Sequence, residues 1–441
     1  MFKTLRNAWK ISELRSKILF TLLIIALYRI GTAIPVPFIN YEALIASGTS
    51  TLFTTGVFGY LDILSGGALS SPAIFALSVT PYINAQIIMQ LLTVAIPPLE
   101  RLAKNGEEGR KKIEKITRYL TFVLAIITAI GYYAILSSLG LIVKSDVNWF
   151  FKAFVIVAVF TAGASVIMWL GEKIDEQGIG NGISMILFAN IVAALPNNII
   201  QYVGSLSASK VAVWAKWVLG ILTFVIMIAS ILFVTYMTDA ERRIPVQYAK
   251  KVVGRKMYGG QSSNLPIKLN MAGVMPVIFA STMVSIVPTI LGFVEQSKGA
   301  FKKGSFGYVV KSLFGTTSAL YIILLFVLII AFAYFYISIS FNPVEVSNNL
   351  MQQGGFIPGI RPGKPTAQYI TKVLNKIILM GALFLSIVAC VPHILNAVSG
   401  GLLGLIAFSG TTLLIVVGVI LETVRELEAQ MTMRHYKGFL E

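Results

Sequence analysis

Charged residues are scarce in this sequence. Asp, Glu, Lys and Arg make up only 12% of its 441 residues, whereas soluble domains carry about 25%. Hydrophobic residues make up 56%, and the mean hydropathy is +0.80. Because so few polar side chains cannot cover a surface that faces water, the composition excludes a soluble fold. It indicates an all-α, polytopic membrane protein, in which helices satisfy the backbone hydrogen bonds.

Cysteine and histidine are nearly absent. The single cysteine, Cys390, lies in an apolar run, so a disulfide framework and a thiolate metal site are both excluded. The two histidines, His393 and His435, are far apart and have no nearby ligand partners, whereas a zinc site needs three or four ligands. We therefore expect neither a metal nor another cofactor.

Long hydrophobic runs, in contrast, are abundant. About 20 apolar residues cross a bilayer as a helix, and the sequence contains ten such runs. The first begins at Lys17 and has no cleavage pattern of small residues, so we expect it to remain as a span. The ten predicted spans are residues 17–34, 73–96, 117–138, 150–170, 182–203, 213–236, 273–293, 318–341, 373–393 and 400–423.

Basic residues are distributed unequally among the segments that join these spans. If the N-terminus is inside, the inner segments hold 27 of the 36 Lys and Arg residues and the outer segments hold eight. This asymmetry predicts that both termini are cytoplasmic. Ten spans divide into two halves of five, 1–203 and 204–441. An odd number per half predicts opposite orientations, with a functional passage between the halves.

One apolar segment is too short and too broken to cross the bilayer. Residues 58–70 read FGYLDILSGGALS and precede the second predicted span. Gly66 and Gly67 each cost a helix about 1 kcal/mol relative to alanine, and Asp62 is costly to bury without a partner. Taken alone, these residues favour a plain re-entrant or outer-surface loop.

Two inner segments have sequence features that a simple connecting loop does not need. Segment 237–272 contains two basic pairs that flank an alternating stretch, IPVQYAKKV. It is either a solvated positive loop or a protruding finger that docks an acidic or RNA-containing partner. The basic pairs are Arg242 with Arg243, and Arg255 with Lys256.

The second inner segment, 341–370, is rich in glycine and proline, which force turns. Arg361 lies among these turns and precedes Pro362. A lone arginine in a turn is usually just solvated. A turn fixed by prolines positions the side chain in advance and so reduces the entropy that is lost when a partner binds.

Six motifs occur along the chain: YRIGTAIPVP (28–37), FALSVTPYINAQIIMQLL (75–92), GIGNGIS (178–184), LPIKLNMAGVMPVIFA (265–280), GGFIPGIRPGKPT (354–366) and GTTLLIVVGVI (410–420). GIGNG alone is ambiguous, but it lacks the Lys-Ser/Thr of a phosphate loop, and we expect Asn181 to cap the next helix. Together and in this order, the six motifs resemble the SecY/Sec61-alpha family, the channel-forming subunits of the Sec protein translocon.

The resemblance implies a central hourglass pore that is closed at rest by two devices. A plug at about 58–72 fills the outer funnel, and the weak helix propensity noted above fits an element that leaves its site easily. A ring of aliphatic side chains forms the constriction, although each of them taken alone fits ordinary helix packing. The plug residues are Leu61, Asp62, Ile63, Leu64, Ser65, Gly66, Gly67, Ala68 and Leu69, and the ring residues are Val79, Ile83, Ile183, Leu187, Ile278 and Ile415.

The resemblance also implies a lateral gate between spans two and three on one side and spans seven and eight on the other. Its candidate polar contacts are Asn84, Gln90, Ser281, Thr282 and Ser285, although Ser and Thr also occur in membrane helices for packing reasons. The implied partners are the small SecE and SecG subunits, the SecA motor ATPase, the ribosome through its rRNA, signal peptides and nascent chains, and the lipid bilayer. The inner basic residues named above would dock the motor and the ribosome.

Two other classes of membrane protein compete with the channel interpretation. A solute carrier driven by protons or sodium usually needs ionisable groups at mid-membrane. Here Arg29 and Glu422 lie near the ends of their spans. An intramembrane enzyme needs paired carboxylates, or a histidine with a metal, and the spans show neither. We therefore expect a non-enzymatic channel in the bacterial plasma membrane, driven by a partner.

Overall fold

The structure is a computed structural model, and it describes residues 2–40, 65–143, 147–208, 213–248, 251–253, 256–258, 262–298, 306–315, 318–398 and 410–437. These residues are mostly helical, which confirms the all-α class, and they include five short strands. The helices are α1 Phe2–Lys10, α2 Ser12–Gly31, α3 Thr80–Ala95, α4 Pro97–Lys104, α5 Gly106–Ser138, α6 Trp149–Gln177, α7 Gly182–Ala208, α8 Val213–Asp239, α9 Met275–Lys298, α10 Phe306–Leu313, α11 Ala319–Ser340, α12 Pro343–Gln352, α13 Lys364–Val398 and α14 Gly410–Lys437.

Several helices have the length and composition of membrane spans. Among the described residues, six helical segments are long and apolar enough to cross a bilayer by themselves. Helices α3 and α4 pass the same test together but are bent by 106°, and the apolar stretch Met275–Ser285 of α9 is shorter. The total of ten spans therefore stays a prediction, as does the division into two inverted halves.

The second predicted span, 73–96, begins later than expected. Residues 71–79 form turns, and Ser78 has a φ of +51°, so the helix starts only at Thr80. Pro81 suits this start because the first turn of a helix needs no N–H donors. The helix ends at Ala95, because Pro97 and Pro98 cannot continue its hydrogen bonds.

The chain forms two compact units, and the first comprises residues 1–205, 285–318 and 419–441. Its main core lies where α5 and α6 pack on the turns that precede α3. A second, smaller cluster joins α1, α2, the turn after α6 and the end of α14. The main core contains Val36, Ile39, Leu69, Ala76, Leu77, Ala125, Ala129, Tyr132, Ile135, Leu136, Leu141, Ile156, Phe160 and Ala164, and the small cluster contains Ala8, Leu14, Ile179 and Leu427.

The second unit comprises residues 206–284 and 319–418. Helices α11 and α13 pack along each other. A sheet of β4 (Ser262–Lys268), β1 (Glu241–Tyr248) and β5 (Gly355–Phe356) covers the polar end of α13. Strand β1 pairs antiparallel with both neighbours, and its Ile244 and Val246 are buried. The segment predicted as a finger is therefore partly a sheet, extended by a separate hairpin of β2 (Lys251–Val253) and β3 (Lys256–Tyr258).

Candidate functional site

The described part of the plug segment, residues 65–69, is firmly anchored in the first unit. Ser65 and Ala68 are buried, and Leu69 belongs to the main core. The backbone N–H of Leu69 donates to Ser65 Oγ (3.0 Å), and the Tyr132 hydroxyl donates to the Leu69 carbonyl. These contacts hold the C-terminal end of the segment in place. The other predicted plug residues, Leu61, Asp62, Ile63 and Leu64, lie outside the described residues.

Gly66 lies against a buried polar cluster formed by α2 and α7. A Cβ added at Gly66 would lie 2.6 Å from Arg29 Nη1 and 2.8 Å from Asn190 Oδ1. Asn190 is fully buried, and its Nδ2 donates to Ser78 Oγ at 3.2 Å. Only a residue without a side chain fits this distance, so the backbone of the plug segment rests directly on the polar cluster.

Four of the six predicted ring residues lie in the first unit, and all four are buried. Val79 and Ile83 are at the start of α3, whereas Ile183 and Leu187 are in the first two turns of α7. The Asn190–Ser78 hydrogen bond links these two helices, because Ser78 precedes Val79 and Asn190 follows Leu187. This hydrogen bond joins the two helix ends that carry the four predicted ring residues.

The remaining two ring residues are buried in the second unit. Ile278 is in α9 and Ile415 is in α14. The two helices approach closely beside these residues, because a Cβ added at Gly418 would lie 2.7 Å from Val274 Cγ2. The six residues thus occur as one set of four and one set of two, and their closure into a single ring stays a prediction.

The turn at 178–182 fixes the start of α7, and side chains from three helices hold it. Thr21 Oγ1 of α2 accepts from Ile179 N (3.1 Å), Asp175 Oδ1 of α6 accepts from Gly182 N (2.7 Å), and Glu426 Oε2 of α14 accepts from Gly180 N (2.9 Å). As predicted, Asn181 caps the helix, and its Oδ1 accepts from Ser184 N at 3.0 Å. The turn leads directly into Ile183.

Further contacts connect this turn to both chain ends. Lys17 Nζ donates to Gln430 Oε1 (3.3 Å), Gln430 Nε2 donates to Glu426 Oε1 (3.1 Å), and Thr4 Oγ1 donates to Glu428 Oε1 (3.0 Å). Ile179 packs in the small cluster beside them. The position of Ile183 therefore depends on α1, α2 and α14 as well as on its own helix.

The predicted gate residues have different environments. Asn84 and Gln90 are half-buried on α3, and Asn84 Oδ1 is a buried atom that has no hydrogen-bond partner among the described residues. Ser281 is buried and donates to the Ile278 carbonyl of its own helix (2.9 Å), and Ser285 is also buried while Thr282 is half-buried. Ser281 thus uses its hydroxyl within α9, and the gate assignment stays a prediction.

Three of the five predicted docking residues are exposed side chains of the second unit. Arg242, Arg243 and Arg361 are exposed, and Arg243 Nε pairs with Glu241 Oε1 at 2.7 Å. The turn that carries Arg361 is held by two hydrogen bonds, from Thr366 Oγ1 to the Arg361 carbonyl (2.8 Å) and from Ser347 Oγ to the Gly363 carbonyl (2.9 Å). Lys256 is on β3, and Arg255 lies outside the described residues.

Sequence reasoning missed the polar residues that hold these elements in place: Thr21, Ser78, Asp175, Asn190 and Glu426. Asn190 is the residue that the sequence signals most clearly, because an amide within an apolar span needs a buried partner. The others are near the span ends, where polar residues are ordinary. The partners of Thr21, Ser78 and Glu426 are more than 100 residues away, so spacing gives no signal for them.

Known proteins resemble this chain in sequence and in fold. The SecY family model matches residues 73–424. The protein translocase subunit SecY of Streptomyces scabiei is 43% identical over the full length of both chains, and that of Thermotoga maritima is 40% identical over 100% of this chain and 98% of the other. A solved structure of a protein conducting channel has a TM-score of 0.66 at 18% identity, with 95% of this chain and 92% of that chain covered. The channel in the canine ribosome-channel complex from the endoplasmic reticulum has a TM-score of 0.63 at 17% identity, with the same coverage.

Proposed function

The chain belongs to the SecY family, and from this we propose how its own residues form a protein-conducting channel. The channel passes unfolded secretory polypeptides across the plasma membrane and releases transmembrane segments sideways into the lipid. The observation that carries the proposal is the burial of all six aliphatic ring positions, four beside the Ser78–Asn190 hydrogen bond in the first unit and two beside the close approach of Gly418 to Val274 in the second.

An aliphatic ring suits a channel that must accept every sequence. Val79, Ile83, Ile183, Leu187, Ile278 and Ile415 offer no hydrogen bonds, so they close around a passing chain without binding it. When no chain is present, a narrow apolar ring resists water and ions by dewetting. The plug segment adds a second seal, hinged at Leu69 and resting on Arg29 and Asn190 through Gly66.

In this proposal, opening the lateral gate requires little free energy. Interhelical hydrogen bonds in membranes contribute only about 0.6 to 2 kcal/mol each. Asn84 and Gln90 of α3, together with Ser281, Thr282 and Ser285 of α9, would supply them. A signal peptide that enters the gate replaces these few contacts with apolar packing against lipid and helix.

The driving force comes from partners in this proposal. The relatives are named translocase subunits, and one structural neighbour is described in a complex with a ribosome. We assign SecE and SecG as small membrane subunits, and SecA or a translating ribosome as the source of force. Arg242, Arg243, Arg255, Lys256 and Arg361 would contact them on the cytoplasmic side, where both termini also lie.

The constriction gives the most direct test. Asparagine at Ile83, Ile183, Ile278 or Ile415 should raise the resting ion conductance in planar bilayers, because an amide offers water hydrogen bonds at the narrowest point. The matched controls are Ile127→Asn and Ile323→Asn, at exposed positions on α5 and α11, which should affect membrane insertion and not conductance.

A cross-linking experiment tests whether the four isoleucine positions form one ring. Cysteines placed there should all cross-link to one residue of a stalled translocating chain. Cross-links to lipid, or to cargo residues far apart in its sequence, would disprove a single ring.

A further inference from the structure

A cavity of about 590 Å³ opens in the second unit where β1 meets the start of α13. Its lining combines three basic residues, Arg242, Lys372 and Lys376, with apolar ones that include Leu269, Ile377 and Met380. None of the ring, plug or gate residues lines this cavity, although Arg242 is also a predicted docking residue. Lys372, Lys376 and the apolar lining have no role in the function proposed above.

The basic side chains converge on the cavity from two elements. Lys372 and Lys376 are four residues apart on α13, so they share one helix face, where like charges repel each other. Arg242, Ile244 and Val246 follow one another at two-residue steps along β1, so Arg242 lies on the same face of the strand as the two buried residues.

The cavity has a net positive charge. Within the described part of the chain, none of the three basic residues forms an ion pair. The acidic residue in the lining, Glu241, pairs with Arg243 instead at 2.7 Å. An anion that bridges the three cations would relieve their repulsion.

The basic and apolar residues of the lining follow one another in a fixed order along the axis of α13. Lys372, Lys376 and Met380 follow one another at four-residue steps, each of about 6 Å. The charges therefore occur first, beside the strands, and the apolar surface follows where α13 enters its long hydrophobic run. Met380 is 64% exposed and extends the cavity along that run.

We propose that this cavity binds the headgroup of an anionic phospholipid. Arg242, Lys372 and Lys376 hold the phosphate, and one acyl chain lies along Ile377 and Met380. Basic pockets at the cytoplasmic ends of membrane helices bind such headgroups, and the apolar half of the cavity favours a lipid over a free phosphate. The inference rests on the membrane topology proposed above and does not depend on conduction.

Native mass spectrometry of the full-length protein, purified with its membrane subunits, tests the site. The protein is exchanged into detergent with phosphatidylglycerol or with phosphatidylcholine. We expect it to retain phosphatidylglycerol selectively. The variant Arg242→Gln/Lys372→Gln/Lys376→Gln should bind this lipid about 100-fold more weakly, because each basic residue near the surface contributes about a factor of five.

Two variants control for charge and folding. Arg110→Gln/Lys111→Gln/Lys112→Gln removes the same charge from exposed residues that pair with glutamates on α5, and it should retain the lipid. Lys372→Arg/Lys376→Arg keeps the charge and should retain it as well. An equal loss of phosphatidylglycerol binding in the α5 variant would show that binding depends only on the overall charge of the protein, and it would overturn the proposal.

Three other results would also overturn it. These are equal retention of phosphatidylcholine, unchanged lipid binding by the cavity variant, and full displacement of the lipid by soluble glycerol phosphate, which would indicate a free-phosphate site. Because no translocating chain is present, the outcome is separate from the conductance and cross-linking tests of the channel.

Discussion

At the scale of single residues, Gly66 and Gly67 form a natural pair for comparison. Both have positive φ, +68° and +85°, in a region where a side chain costs about 1 to 3 kcal/mol. A Cβ at Gly66 would meet Arg29 and Asn190, whereas nothing lies within 4 Å of a Cβ at Gly67. A comparison of alanine variants at the two positions therefore separates the effect of backbone strain from the effect of contact with the polar cluster.

We predict that Gly66→Ala unseats the plug more than Gly67→Ala does. Both variants carry the backbone strain, but only Gly66→Ala also pushes against Arg29 and Asn190. An additional cost of 1 to 2 kcal/mol shifts an equilibrium by about 5- to 30-fold. Resting conductance in planar bilayers should rise by about that ratio over Gly67→Ala, and equal conductance of the two variants would contradict the proposed seat.

The buried Tyr132 hydroxyl is one of the groups that hold the C-terminal end of the plug segment. Tyr132→Phe leaves the Leu69 carbonyl without its donor, which should lower the free energy of unfolding by about 1 to 3 kcal/mol. Thermal unfolding in detergent measures the change. Tyr133→Phe is the control, because the Tyr133 hydroxyl makes no hydrogen bond with the described residues. A similar loss of stability in both variants would mean that the hydrogen bond to the Leu69 carbonyl does not stabilise the fold.

At the scale of elements, the turn 178–182 shows how a loop can set the position of a helix. Three of its backbone N–H groups donate to side chains from α2, α6 and α14. Close packing supports the same arrangement, since a Cβ at Gly171 would lie 2.6 Å from Ile183 Cδ1. Loss of these hydrogen bonds should therefore displace Ile183 at the predicted constriction.

We predict that Glu426→Ala raises resting conductance, whereas Glu426→Gln does not. Alanine leaves Gly180 N without an acceptor, but the amide oxygen of glutamine can still accept. Planar-bilayer recordings of both variants, beside their unfolding temperatures, separate positioning of α7 from general stability. If both variants lost stability equally and neither leaked, the turn would be structural only.

The same elements show how far sequence reasoning reaches. Hydropathy located α5, α6, α8, α11 and α13, because long apolar runs fold as helices in lipid whatever their partners are. It misplaced the start of α3, because Ile74 to Leu77 are as apolar as a span while their backbone forms turns. Thr21 and Glu426 could not be recognised, since they contact a turn that lies 158 and 246 residues away.

At the scale of the whole molecule, the formal net charge of +17 is concentrated on the side that we propose to be cytoplasmic. Such a surface attracts phosphate and acidic partners, and the attraction weakens as salt rises. Arg361 differs from most of these charges, because two hydrogen bonds hold its turn in place. It therefore loses less freedom when a partner binds.

We predict that Arg361→Glu weakens binding of both the ribosome and the motor and leaves the fold intact. The slope of log affinity against log salt should fall by about one for each phosphate contact that is lost. Lys216→Glu makes the same charge change on the predicted outer side and should alter neither affinity. Unchanged ribosome and motor affinity at low salt would rule out docking through Arg361.

The contacts of the turn 178–182 form in a fixed order while the chain is being synthesised. Thr21 and Asp175 precede Gly182 in the chain, so a ribosome makes both before α7 emerges. Glu426 follows Gly180 by 246 residues, so the third contact forms only after α8 to α13 have been translated. A nascent chain halted before α14 would hold Ile183 by two contacts only, and the pore should seal as a late step of biogenesis.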